Sequence, residues 1–193
     1  ALDPADDEIR SLEKGVRNVL RGPLWKQTFT AETAHFTVRT DVSQARAGFY
    51  AQHLEAIADF YARTFGIELP ARKADALVFE TQEGYQTYAE LTLENRVEST
   101  LGYYHPVYDQ LLLFEDKTEG AGPETLRVVY HEGFHQFIHP LIPHMPYWLN
   151  EGVAEYFGAS EVKDGKVVRT GLVQEGRLAG LQSYLTAGSK PIP

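Results

Sequence analysis

"VVYHEGFHQFIHP" (residues 128–140) sets three histidines, His131, His135 and His139, at four-residue steps, with Glu132 beside the first. This stretch decides the fold because it carries two patterns at once. Leu126, Tyr130, Phe134 and Phe137 recur at helical spacing, so one face of a helix is an apolar stripe bound for a core. His131 and His135 lie about 100° round from that stripe and one turn apart, so their imidazoles can converge on one ion. Core helix and metal helix are then adjacent faces of the same segment.

Glu132 sits one residue further round, where its carboxylate reaches a water at the ion without ligating it. This is the H-E-x-x-H arrangement, in which two histidines bind zinc and the glutamate serves as general base. His139 cannot be the third ligand. It lies about 12 Å along the axis from His131 and about 80° off its line, and Pro140 after it disfavours helical geometry. Its expected role is a helix-end cation or a loop contact. The extended motif with a Gly and a third His is absent, since Ile138 and Leu141 hold those positions. The third ligand is expected on the next helix, "YWLNEGVAEYFG" (147–158), reached through the proline-stiffened loop "PLIPHMP" (140–146). Glu151 there completes a His₂Glu site with one open position. Glu155, one turn later, is placed to accept the free N–H of a ligating histidine. Trp148, Leu149, Val153, Tyr156 and Phe157 flank both carboxylates and are expected to enclose them in part.

Working outward, the 193 residues suffice for one domain, with ordinary globular proportions of 43% hydrophobic and 23% charged residues. A net charge of −9 excludes the electrostatic footprint of a nucleic-acid binder and disfavours an anionic membrane surface. No apolar run reaches 18 residues, so no transmembrane segment is expected. With no cysteine, disulfides, thiolate zinc sites and cysteine nucleophiles are excluded. The N-terminus "ALDPADDEIR" fits a trimmed chain and a secreted or periplasmic, cell-envelope, bacterial-like location, and "AGSKPIP" (187–193) reads as a cut from a longer chain.

A single domain over 1–193 is expected. Its N-terminal helix (5–20) has acidic residues Asp6, Asp7 and Glu8 first and a stripe of Ile9, Leu12, Val16 and Leu20. A sheet-bearing part follows (35–115): strand 35–40, helix 43–66 ended by Gly66, strand 74–81, a short helix near 82–92, and a hairpin of 100–105 with 110–115. After a flexible stretch (116–123) come the zinc-site helices (124–158), a hairpin around Asp164-Gly165 (162–168) and a last helix (172–187). Strands first and helices later point to an α+β fold. Gly133 inside the motif costs about 1 kcal/mol relative to Ala, which suggests that the substrate-side strand approaches it closely.

"HEGFH" followed by "WLNEGVAEYF" resembles the gluzincin clan of zinc metallopeptidases, and most closely the bacterial peptidase-MA-like domains of uncharacterised function. The strong match covers 131–157 and a weaker one about 35–160. The resemblance implies a zincin-like fold, a small mixed sheet with an edge hairpin packed on the active-site helix. It implies one Zn²⁺ on His131, His135 and Glu151, Glu132 as general base, and Glu155 supporting a histidine. The expected activity is zinc-dependent hydrolysis of a peptide or protein substrate, with the strand around "LGYYH" able to pair with an extended peptide. The transition-state donor of the larger members cannot be mapped. Tyr104, His105, Tyr147, Tyr156 and Tyr184 are the candidates. The alternative is a catalytically silent zinc-bearing module recognising peptide or glycan ends.

Overall fold

The computed structural model describes residues 4–93, 101–115 and 123–186. Of the stretch expected to be flexible (116–123), residues 116–122 lie outside them, as does the C-terminal stretch 187–193, while Pro123 already belongs to a helix. Among the described residues the chain runs α1 (Pro4–Arg21), β1 (Phe29–Glu32), β2 (Phe36–Thr40), α2 (Gln44–Phe65), β3 (Ala74–Phe79), α3 (Gln82–Leu93), β4 (Gly102–His105), β5 (Gln110–Phe114), α4 (Pro123–Ile138), α5 (Tyr147–Gly158), β6 (Glu161–Lys163), β7 (Lys166–Arg169) and α6 (Glu175–Thr186). The fold is α+β with a mixed five-stranded sheet, ordered β1-β2-β3-β5-β4, and a separate hairpin of β6 and β7.

The centre of the sheet is parallel: β2 pairs with β3, and β3 with β5, while β1 and β4 close the two edges antiparallel. The expected order of strands first and helices later is corrected here. Helices α2 and α3 alternate with the strands because parallel neighbours need a crossover segment. The edge strand β1 is an addition. Its four residues "FTAE" alternate but are too few to mark a strand by themselves, and a short turn through Thr33 folds them onto β2, with Thr33 N–H donating to Phe36 O at 3.0 Å.

Both faces of β3 and β5 are covered, which is why "ALVF" and "LLLF" read as unbroken apolar runs. Alternate residues divide between two cores. Ala76, Val78, Leu111 and Leu113 face α2, α4 and α5, together with Tyr50, Leu54, Ile57, Tyr61, Val129, Phe134 and Phe157. Leu77, Phe79, Leu112 and Phe114 face the opposite side, against Tyr85 and Tyr88 of α3. Tyr50, Tyr61, Tyr85 and Tyr130 are among the largest fully buried side chains, so the tyrosines build core more than cleft.

Helix α2 backs the whole arrangement. Ser43 caps it by accepting from Arg46 N–H at 3.2 Å, and Gly66 ends it in the left-handed region at φ 65°, its N–H bonded to Ala62 O. Two tyrosines bolt α2 to α4. Tyr61 donates its hydroxyl to Tyr130 O at 2.6 Å, and the Tyr130 hydroxyl lies 2.6 Å from His53 Nδ1. Helix α1 behaves differently. Ile9, Leu12, Val16 and Leu20, the stripe legible in sequence, are exposed rather than packed. The helix attaches by its other side, where Gly15 lies against Tyr108 and Asn18 Nδ2 donates to Leu91 O at 2.7 Å.

Candidate metal centre

Helix α4 carries its apolar face into the core through Val129, Tyr130, Phe134 and Ile138, which fixes the direction of the neighbouring face. On that neighbouring face His131 and His135 stand with their Nε2 atoms 3.1 Å apart. Helix α5 is anchored by Ala154 and Phe157 and packs against α4, which brings Glu151 opposite the pair. Glu151 Oε2 is 3.3 Å from His131 Nε2, and Glu151 Oε1 is 3.5 Å from His135 Nε2. His131, His135 and Glu151 thus form a group able to hold a metal ion. Four ligands at about 2.0–2.1 Å around a tetrahedral zinc stand roughly 3.3 Å from one another. The observed separations are of that size, although the two histidines approach different oxygens of Glu151, and the donor set of two neutral nitrogens and a carboxylate suits zinc.

Burial lowers the pKa of His131 to about 4, assisted by His135, and lowers that of His135 as well, so both rings are neutral at pH 7 and able to ligate. Asn150 Oδ1 lies 3.2 Å from His135 Nδ1, which holds that ring with Nε2 toward the site. Asn150 was not singled out from sequence, although its place beside the ligand Glu151 is a usable signal. Glu155 Oε1 lies 3.5 Å from His131 Nδ1, yet that buried nitrogen completes no hydrogen bond. Glu155 is shared. It pairs closely with Arg177, accepts from Gln174 Nε2 at 3.1 Å and lies 3.7 Å from Arg127 Nη1. Sequence reasoning missed this tie between α6 and the site.

Glu132 points toward the edge strand. Its Oε2 accepts the backbone N–H of Tyr104 at 2.9 Å. That N–H faces away from β5, since the neighbouring Leu101 O is the one accepting from Phe114 N. Burial raises the Glu132 pKa to about 7; Glu151 and Glu155 add to the rise and the Tyr104 N–H opposes it. Close approach of β4 to α4 depends on Gly102, where an added Cβ would stand 2.6 Å from Val128 Cγ1 and 3.1 Å from Leu112 O. The expectation for Gly133 is corrected: an added Cβ there would meet Leu54 Cδ2 of α2 at 3.5 Å, an ordinary contact, and no strand crowds it.

The remaining candidates disperse. The Tyr104 hydroxyl donates to Asp109 Oδ1 at 3.2 Å, on the side of β4 away from Tyr103. His105 is buried with its Nδ1 unpartnered, its ring 4.3 Å from Tyr108. Tyr147 and Tyr156 are exposed, and Tyr156 packs over Gly171. Tyr184 lies at the edge of exposure on α6. Trp148 and Leu149, expected to enclose the carboxylates, are exposed too. The phenol nearest in its electrostatics is Tyr103, whose pKa is raised by burial and then by the Glu132 carboxylate. His139 ends α4 with its N–H on His135 O at 3.0 Å and its ring 5.9 Å from Tyr104.

A second cluster, His35, Glu55 and Asp59, also has metal-compatible spacing. There the His35 Nδ1 is 2.6 Å from Glu55 Oε1 and the His35 backbone N–H donates to Glu55 Oε2 at 3.1 Å, so direct contacts between its members already engage both oxygens of Glu55. No family model matches the chain, and no curated protein matches it.

Proposed function

We propose that the chain is a zinc-dependent peptidase of gluzincin type, with His131, His135 and Glu151 as ligands and Glu132 as general base. The observation that carries the reading is the convergence of His131 Nε2, His135 Nε2 and Glu151 within 3.1–3.5 Å, beside an enclosed carboxylate that is not one of the three. When bound, zinc supplies Lewis acidity toward a water and a scissile carbonyl. Glu132 takes the proton of that water and returns it to the leaving amine. The Tyr104 N–H occupies Glu132 Oε2, which orients the carboxylate and leaves Oε1 for the transfer. Asn150 keeps His135 in the ligating tautomer. Edge strand β4 supplies backbone groups along which an extended peptide can lie.

The second reading, a silent zinc-bearing module that recognises peptide or glycan ends, draws support from one observation. The hydroxyl of Tyr104, one of the candidate donors, is committed to Asp109, while Tyr147 and Tyr156 are exposed. A peptide-library digest with a chelator control separates the two. Peptidase chemistry requires chelator-sensitive cleavage that Glu132→Gln reduces at least ~100-fold while zinc stays bound. Cleavage by that variant at the parent rate would remove Glu132 from the mechanism.

A further inference from the structure

Residues 133–150, "GFHQFIHPLIPHMPYWLN", contain no Asp, Glu, Lys or Arg. Their central part is the loop between α4 and α5, and it projects. Leu141 is 45% exposed, Ile142 48%, Tyr147 78% and Trp148 74%. Apolar side chains so grouped and so exposed mark a contact surface.

The backbone of the loop narrows the choice of contact. Pro140, Pro143 and Pro146 have no N–H. The N–H groups of Leu141 and Ile142 are bonded to Ile138 O, that of Met145 to Ile142 O, and those of Leu149 and Asn150 to Pro146 O. From Pro140 to Asn150, that leaves the N–H groups of His144, Tyr147 and Trp148. With most of its donors satisfied or absent, the segment gives up fewer hydrogen bonds on leaving water, and its remaining carbonyls can stay at the hydrated headgroup level. It has little to offer a protein partner that reads hydrogen bonds or charge. The side chains are graded in the same sense, with aliphatic Leu141 and Ile142 in mid-loop and Tyr147 and Trp148 at the start of α5. Tyrosine and tryptophan favour the boundary between hydrocarbon and headgroups. The net charge of −9 makes an anionic surface unfavourable, and the loop has no Lys or Arg to offset it.

We infer that the loop 140–149 is a peripheral membrane anchor that inserts Leu141, Ile142 and Trp148 into the interface of a zwitterionic bilayer. The contact does not depend on turnover at the metal centre, so it stands or falls apart from the peptidase reading.

The test is sedimentation of the intact protein with phosphatidylcholine vesicles, read together with tryptophan emission. The chain has two tryptophans, Trp25 and Trp148. Binding should shift emission to the blue, and Trp148→Phe should abolish the shift. Leu141→Asp with Ile142→Asp should weaken partitioning at least ~100-fold, since two aliphatic insertions are lost. Both positions are exposed, so the thermal midpoint should hold, which separates lost binding from lost folding. Failure of the parent to sediment, or equal binding by the double variant, overturns the proposal. So does binding that appears only when phosphatidylglycerol is added. Concentration-dependent dimerisation that the double variant abolishes, without vesicle binding, would assign the loop to a second copy of the chain instead.

Discussion

Glu132→Gln should stabilise the metal-free protein, by an amount that grows with pH. Burial and two neighbouring carboxylates raise the Glu132 pKa from 4.5 to about 7. The folded state therefore binds more protons than the unfolded state between those values, and stability falls as pH rises through them. Below pH 4.5 the carboxyl is neutral in both states and costs nothing. Above pH 7 it is ionised in both, and the folded state bears the full penalty. A rise of that size corresponds to about 3 kcal/mol. Solvent reaches part of the Glu132 side chain, so about 1–2 kcal/mol is the expected gain. Glutamine keeps the acceptor for the Tyr104 N–H and removes only the charge. Urea denaturation of chelator-treated parent and variant at pH 5 and pH 8 measures it as a shift in midpoint at constant slope. The histidines titrate in both proteins, so their contribution largely cancels in the difference. A variant no more stable than the parent at pH 8, or a difference that is the same at both pH values, would refute the view that this carboxylate is held against its own solvation.

Three further outcomes follow from the same geometry. Asn150→Ala should weaken zinc binding about 10–100-fold, measured by competition with a chromophoric chelator; unchanged affinity would deny Asn150 its hold on His135. Gly102→Ala should cost about 1–3 kcal/mol, because the new Cβ meets Val128 and the Leu112 carbonyl, and should speed hydrogen exchange at Tyr104 N–H; normal protection there would show that β4 does not need the glycine to reach Glu132. The metal-free Glu132→Gln variant, in which the opposing titration of Glu132 is absent, should lose stability as pH falls below 6.5. Burial lowers the pKa of His53, His105, His131 and His135, His131 to about 4, so the unfolded state binds more protons throughout that window. Stability that is flat from pH 7 to pH 5 would contradict this.

Much of this was legible before the coordinates. The span of α2 follows from Gly66 and the helical spacing of Tyr50, Leu54, Ile57 and Tyr61, because a stop residue and a helical period are local properties, and the structure adds the Ser43 cap. The pairing of β4 with β5 was readable from Pro106 and the flanking apolar runs. His131, Glu132, His135 and Glu151 could be singled out because a helix turns their spacing into direction. What escaped is non-local. Strand β1 owes its existence to β2, and no pattern in "FTAE" demands it. Tyr103 came near Glu132, and Tyr104 reached it through its backbone, because strand parity and register set which group faces α4. The division of Glu155 among Arg127, Gln174 and Arg177 required knowing that α6 folds back. The α1 stripe was read correctly as a pattern, but a pattern does not say that anything covers it.

The bolts between α2 and α4 bear on how the metal arrives. Tyr61 grips the carbonyl of Tyr130, the residue before the first ligand, and Phe134 is fully buried just before the second. The histidines are thus set by packing that exists without an ion. Zinc uptake should then be a docking event rather than a folding event, unlike that of small zinc modules that are unfolded when empty. Its heat-capacity change should be small, because little apolar surface changes its exposure. A site built this way should be emptied and refilled while the far-ultraviolet circular dichroism of the protein stays the same.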